Sequence, residues 1–488
     1  MSVALDDEAV QGREAAAVAP LPALHRQPSP ASRAAAAPLS EPDAARQAVV
    51  DEFEDFAGRL PTEPAAVTAL RRSAIARFAE IGFPQLAWEH WRRTDVRPVL
   101  QTRFRTAAGA GTLPEGALAP HLFAAAARLV VVDGAVAPDL SHTAGLPEGV
   151  VVGSLAAALA ERPEAVARHL GRHARAADNP FTLLNTAFFT DGVYLELAPR
   201  TVVEGTIHLL YVSTLPTDGG LPFVSRPRTL IVAGEASQVR VVESFVGLGG
   251  AAGDGVYLSS PVTEIVAGPA AVVDHYKVQR ESPLAFHLAA FETHLERAAT
   301  VSSHSISIGG AITRNDIGGV LAGEGGDCTL NGLYLGDGEQ VVDNHMFVDH
   351  AAAHCSSHEL YKGILDGKSR AVFNGLIHVH PGAQKTDAKQ TNRNLLLSAG
   401  ALAASNPQLE IFADDVRCTH GSTVGQLDEE AVFYLRSRGI GAKAAKSLLT
   451  YAFASDIVQR IAVEPVRHVL EEILFARLPR GEVVRQAV

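Results

Sequence analysis

From Asn185 onward, for roughly 240 residues, this chain is a succession of short runs rich in β-branched residues, with no helical stretch of any length between them. Runs at 194–197, 206–212, 271–278, 301–308 and 328–335 are cut by turn signals such as Gly268-Pro269, Gly309-Gly310, Gly336-Asp337-Gly338, Asp366-Gly367 and Pro381-Gly382. Without crossover helices the choices narrow to a sandwich, a barrel or a β-solenoid, and a span of this length favours the solenoid. Aromatics at 6% alongside 42 glycines fit thin, turn-rich layers better than a wide aromatic core. Periodicity fixes neither the handedness nor the closure of such a stack.

Different patterns flank this region. Residues 1–45 are rich in Ala and Pro and predict a disordered tail, and Asp6, Asp7 and Glu8 stand where a signal peptide carries positive charge. Residues 46–175 predict a mainly helical region: Val49, Phe53 and Phe56 recur at helical spacing, as do Leu70, Ala74, Ile75 and Phe78 before Gly82 and Pro84. Trp88 and Trp91 read as packing residues. The β core is expected over 176–427. Residues 428–488 predict a helical domain, with Val432, Leu435, Leu448, Leu449, Ala452 and Phe453 on its apolar face, placed to cover an open strand edge.

Charge and cysteine count exclude several classes. A formal charge of -12 argues against general nucleic-acid binding. No run of 18 apolar residues occurs, which predicts a cytoplasmic chain that does not enter the membrane. Cys328, Cys355 and Cys418 are too few for a disulfide framework and form no CxxC, so a metal held here needs ligands from elsewhere.

Two histidine-cysteine groupings carry candidate chemistry. On an extended segment, Cys418 and His420 point out of one face, about 6 to 7 Å apart along the backbone, as two soft ligands suited to a transition metal. Asp414 or Asp415 could orient the imidazole. Cys418 reads equally as a second ligand, a sulfur acceptor or a buried small hydrophobe. The second grouping, His350, His354 and His358 with Cys355, has a spacing of four that aligns three rings on one helix or strand face, a metal pattern weaker than the first. For His378 and His380, just before Pro381-Gly382, a packing or interface role is expected. Gly363 to Ser369 is one residue short of a phosphate loop, Gly247-Leu248-Gly249 lacks the helix of a dinucleotide site, and His358-Glu359 lacks the second histidine of a zinc protease.

Longer segments point to a family. Ser369-Arg370-Ala371-Val372-Phe373-Asn374-Gly375, Asp414-Asp415-Val416-Arg417-Cys418-Thr419-His420-Gly421 and Phe433-Tyr434-Leu435-Arg436-Ser437-Arg438-Gly439 together resemble the SufB/SufD family of iron-sulfur cluster assembly scaffolds. The resemblance runs from about Leu70 to Leu478 and is strongest from Tyr334 to Phe475. Ala383 to Leu395 and the Cys-Thr-His triplet follow the SufD pattern, whereas the distinctive cysteine of SufB is absent.

The resemblance implies a mainly β fold, a right-handed parallel β-helix core flanked by N-terminal and C-terminal helical domains. It also implies a non-catalytic scaffold that pairs with SufB through the β-helix and binds the ATPase SufC through its C-terminal helices, where Arg436, Arg438 and Lys443 offer polar contacts. A transient iron-sulfur cluster would form at the SufB interface, the partner supplying a cysteine and an acidic residue and this chain His420, with Cys418 beside it. Two other classes remain open from the residues: a stand-alone metal-binding solenoid using His354, Cys355 and His358, and a cytoplasmic β-helix carbohydrate-active enzyme.

Overall fold

Chain segments that alternate inward and outward side chains, with a turn every five to ten residues, cannot bury one face alone and do so by stacking on their neighbours. In the computed structural model, which describes residues 42–107, 109–111, 113–174, 179–216, 219–248 and 255–487, they stack in parallel into a solenoid of about seven turns. Its two walls belong to a 12-stranded and a 10-stranded sheet. The first wall ends with Ile312–Leu321, Val341–His350, Arg370–Val379 and Leu402–Ile411, and the second with Asp327–Gly336, Ser356–Leu365, Asp387–Leu396 and Arg417–Gly425. The sequence therefore predicts the architecture. The tail expected over 1–45 lies outside the described residues except for 42–45, which begin the helix Pro42–Ala57.

Register puts like positions in columns. Val301, Cys328, Ser357, Ala388 and Cys418 follow one another through the second wall, and all but the last are buried. Large rings enter where a neighbour is small. Tyr361 lies over Gly332, where a Cβ would sit 2.3 Å from the ring.

The interior is not wholly apolar. Glu243 accepts from His275, Thr263 and Tyr211 within the middle turns. Nearer the C-terminal end, Gln390 donates from Nε2 to Glu359 Oε2 at 2.6 Å, both side chains being buried. Burial pushes the Glu359 carboxyl up to about 8, against a lowering contribution from the Gln390 bond.

Helices cover the outer faces. Phe53, Phe78, Trp91, Phe181 and Phe188 of the N-terminal region pack against Val224, Leu258, Phe286 and Ile312. Trp91 is buried, with the Arg314 guanidinium 3.6 Å from its ring centroid, so it packs as expected. The region is helical through Gln101, after which the β-branched run Ala127–Val132 joins the second wall and Val150–Ser154 the first.

One expectation fails. The helices Ala442–Val458 and Glu464–Arg477 do not close the open end of the stack but lie along the flank of the second wall. The reason is local: Tyr276, Val278, Ile306, Leu333 and Ile364 project outward from that wall and need the cover that Tyr451, Ile457, Leu470 and Ile473 provide.

Two consequences are measurable. Gly332→Ala forces the Tyr361 ring out of place and should cost about 1–3 kcal/mol in denaturant unfolding with the far-ultraviolet spectrum retained. Glu359 keeps its proton in the folded chain where the unfolded chain, titrating near about 4.3, loses it, so stability falls as pH rises from about 5 to 8. Glu359→Gln should remove that slope and unfold at higher denaturant at pH 8; an unchanged slope would contradict the assignment.

Candidate functional site

A parallel ladder has two edges, and this one treats them differently. At the N-terminal end, Ala135–Val136 and Val150–Ser154 turn antiparallel and finish the sheets. At the other end, Leu402–Ile411 and Arg417–Gly425 each pair on one side only among the described residues. Their inward-facing residues therefore look into solvent. Ile411 and Val424 occupy inward positions yet are 38% and 47% exposed, with Leu402 and Phe412 exposed beside them.

Cys418 and His420 lie on this last strand. They occupy alternate inward positions, Cys418 over Ala388 and His420 over Gln390. Cys418 is partly buried against the solenoid core, and burial raises its thiol, so the free chain holds it protonated. His420 is exposed. Because Arg417 N–H donates back to Thr386, alternation turns the backbone N–H groups of Cys418 and His420 toward the free edge. Side chain and main chain at these two residues both face what comes next.

Below His420 the column continues into Gln390 and Glu359. Gln390 Oε1 and Glu359 Oε1 are buried without a hydrogen-bond partner. An unpaired acceptor in the floor is suited to take an imidazole N–H, which would leave the other ring nitrogen free for a metal. By sequence, Asp414 or Asp415 could orient the ring or be simply solvated. Asp415 instead pairs with Lys385, and its N–H donates to Gln384 Oε1 at 2.9 Å; among the described residues neither aspartate is bonded to His420. The signal for Gln390 was the stack's own repeat, one turn back from His420.

A groove of about 390 Å³ opens along the same edge, lined by Arg92, Arg93, Asn374, Asn406 and Ser422 among others. The two arginines come from the N-terminal region, and nothing in their local sequence tied them to the last turn.

The second grouping does not assemble. His350 ends one strand, His354 sits in the following turn at φ +59°, and His358 lies on the next strand. His350 is buried against Ser357 Oγ at 2.9 Å, while His354 and His358 are exposed near Glu324 and Asp387. Cys355 Sγ donates to the Gly323 carbonyl at 3.3 Å. A spacing of four is a shared face only within one element, and the turn breaks it.

Comparison with known proteins agrees with this architecture. The model of the SUF system FeS cluster assembly SufBD core domain matches residues 216–453, and that of the SufBD protein N-terminal region matches 45–209. The iron-sulfur cluster assembly protein SufD of Escherichia coli is 32% identical over 83% of this chain and 92% of its own length. A SufBD family protein of Synechocystis is 31% identical over 85% of this chain and 92% of its own, and the chloroplastic protein ABCI7 of Arabidopsis thaliana 26% identical over 86% and 88%. With both family regions matched in order and a solenoid between helical flanks, the chain belongs to the SufB/SufD family of iron-sulfur cluster assembly proteins.

Proposed function

We propose that this protein is a non-catalytic SufD-type scaffold whose open last turn pairs with SufB, and that a nascent iron-sulfur cluster, the cargo of the assembly, is held between them with His420 as this chain's ligand. The observation that carries the reading is an exposed imidazole at an inward position of an uncovered turn, over a buried floor with an unpaired acceptor. Cluster iron accepts imidazole nitrogen, and one histidine among thiolate or carboxylate donors is a known ligand mix. Cys418 becomes a second donor only if metal displaces its proton, since burial disfavours the bare thiolate.

The unpaired strands supply main-chain donors and acceptors, and Ile411, Phe412 and Val424 supply apolar area, which together suit a partner that adds its own last turn. Pro407 adds selectivity. Leu402 and Phe412 donate inward to the ladder, so alternation puts the missing N–H of Pro407 on the free edge, and an arbitrary strand meets a gap there.

SufC would dock on the C-terminal helices. On Glu429–Ser437, Phe433 and Tyr434 are 70% and 55% exposed, with Arg438 stacked 4.4 Å from the Tyr434 ring centroid. Movement there has a route to the site: Lys362 pairs with Asp456 at 2.7 Å and donates to the Phe453 carbonyl, and Lys362 shares a strand with Glu359. The family and the absence of a membrane-crossing helix among the described residues support a cytoplasmic setting.

In the reconstituted SufB–SufC complex, His420→Ala should lower cluster yield by at least about tenfold while complex formation and thermal unfolding stay as in the parent; an unchanged yield sinks the ligand role. Replacing Phe433 and Tyr434 together by Ala should weaken SufC binding by about tenfold or more without loosening SufB, measured by calorimetry on the full chain. Equal weakening toward both partners would place SufC elsewhere.

A further inference from the structure

The outer face of the first wall carries a second group of ligating side chains, at the corner before the chain crosses to Cys418. Asp349 lies on Val341–His350, directly opposite His378 on Arg370–Val379, and both point outward between buried neighbours. His380 follows two residues on, beyond the strand end, and faces the same way. His378 Nδ1 is 2.8 Å and His380 Nε2 2.9 Å from a single oxygen, Asp349 Oδ1. The three ligand atoms lie within 4.8 Å of one another, the only such His, Cys, Asp or Glu group found among the described residues. Next on the ladder, Glu410 of Leu402–Ile411 stands opposite His378.

We infer that Asp349, His378 and His380 form a binding site for a divalent first-row metal ion of the Fe(II) class, separate from the interface cluster. Two imidazoles and one carboxylate on one side of a point, with the remaining positions open, are the donor set of a facial Fe(II) site. The spacing fits: bonds of about 2.1 Å at right angles put adjacent donors about 3.0 Å apart, close to the two separations found here. Entry of the ion replaces the two N–H···O bonds by metal–nitrogen bonds at the same ring nitrogens, each ring then carrying its proton on its other nitrogen.

Its surroundings suit an exchanging ion rather than a permanent one. His380 is 43% exposed, His378 and Asp349 about half of that, so water fills the open positions. Phe412 packs 5.5 Å from the His378 ring and Phe347 6.3 Å, which holds that ring in place. A stabilising role alone explains little, because hydrogen-bonded pairs at such exposure contribute about 0–1 kcal/mol. A packing or interface role is what the sequence leads one to expect for His378 and His380, and packing does not account for both rings meeting one oxygen. Glu410 lies on Leu402–Ile411 and Phe412 directly follows it, so a partner seated on the free edge would cover or complete this site.

The test is a titration of the full-length, metal-free chain with Co(II), read by visible absorption and calorimetry without SufB or SufC. One ion per chain should bind with the weak absorption of a five- or six-coordinate N/O site. His378→Ala, His380→Ala and Asp349→Asn should each weaken binding by more than about tenfold, since even loss of a supporting residue costs that much. All three are outward-facing, and unchanged thermal unfolding of each will show that the fold is kept. No binding by the parent chain, or parent-like binding by His378→Ala and His380→Ala, overturns the site. So does a titration abolished by His420→Ala but kept by His378→Ala, which places the ion at the mouth; the shared-cluster reading can fail without altering any of these outcomes.

Discussion

A parallel strand ladder satisfies its backbone only by adding another strand, so a solenoid built from one must end in unpaired N–H and C=O groups or be covered. In this molecule the N-terminal end is formed by the short antiparallel strands Ala135–Val136 and Val150–Ser154, whereas at the C-terminal end the long parallel strands Leu402–Ile411 and Arg417–Gly425 carry no further strand among the described residues. The remaining features of the site follow from that asymmetry. Because no turn lies above Arg417–Gly425 among the described residues, inward positions that are buried in every preceding turn become a surface, and a histidine placed there is both aimed at the axis and open to solvent. The helices that could have covered the edge are held on the flank by outward apolar residues of the second wall.

Much of this was legible in the residues. Period-two runs, glycine and proline punctuation and missing crossover helices gave the solenoid; the helical flanks followed from their three-four spacing. Cys418 and His420 were found as a pair on one face, and the structure puts them on one face. What the chain order could not convey is which residues stack. Gln390 under His420 is a register relation across a full turn, and the Asp349–His378 contact is another. A local reading instead chose the nearest carboxylates, Asp414 and Asp415, and the nearest histidines, His354 and His358, in both cases across a turn that sends the side chains apart.

Buried polar groups occur through the stack, and two of them, Glu359 and Gln390, lie directly under its last turn. A carboxyl pushed up to about 8 by burial and an unpaired amide oxygen are costly to keep in a β-solenoid core that apolar residues could fill. Their place under the last turn is intelligible if they orient a ligand that arrives from outside. On the outer face, the Asp349–His378–His380 group reaches the same edge through Glu410 and Phe412. One end of the molecule thus concentrates the unpaired strands, the exposed apolar side chains and the nitrogen donors.

The central claim is that the last turn is completed by a partner's strands rather than left in water. Hydrogen exchange of the backbone amides in Leu402–Ile411 and Arg417–Gly425, measured on the free chain and on the SufB complex, tests it most directly. The account predicts that the free-edge amides, those of Cys418, His420, Ser422 and Val424 among them, exchange fast alone and become strongly protected in the complex. Formation of the complex with these amides still exchanging at their free rate would contradict it.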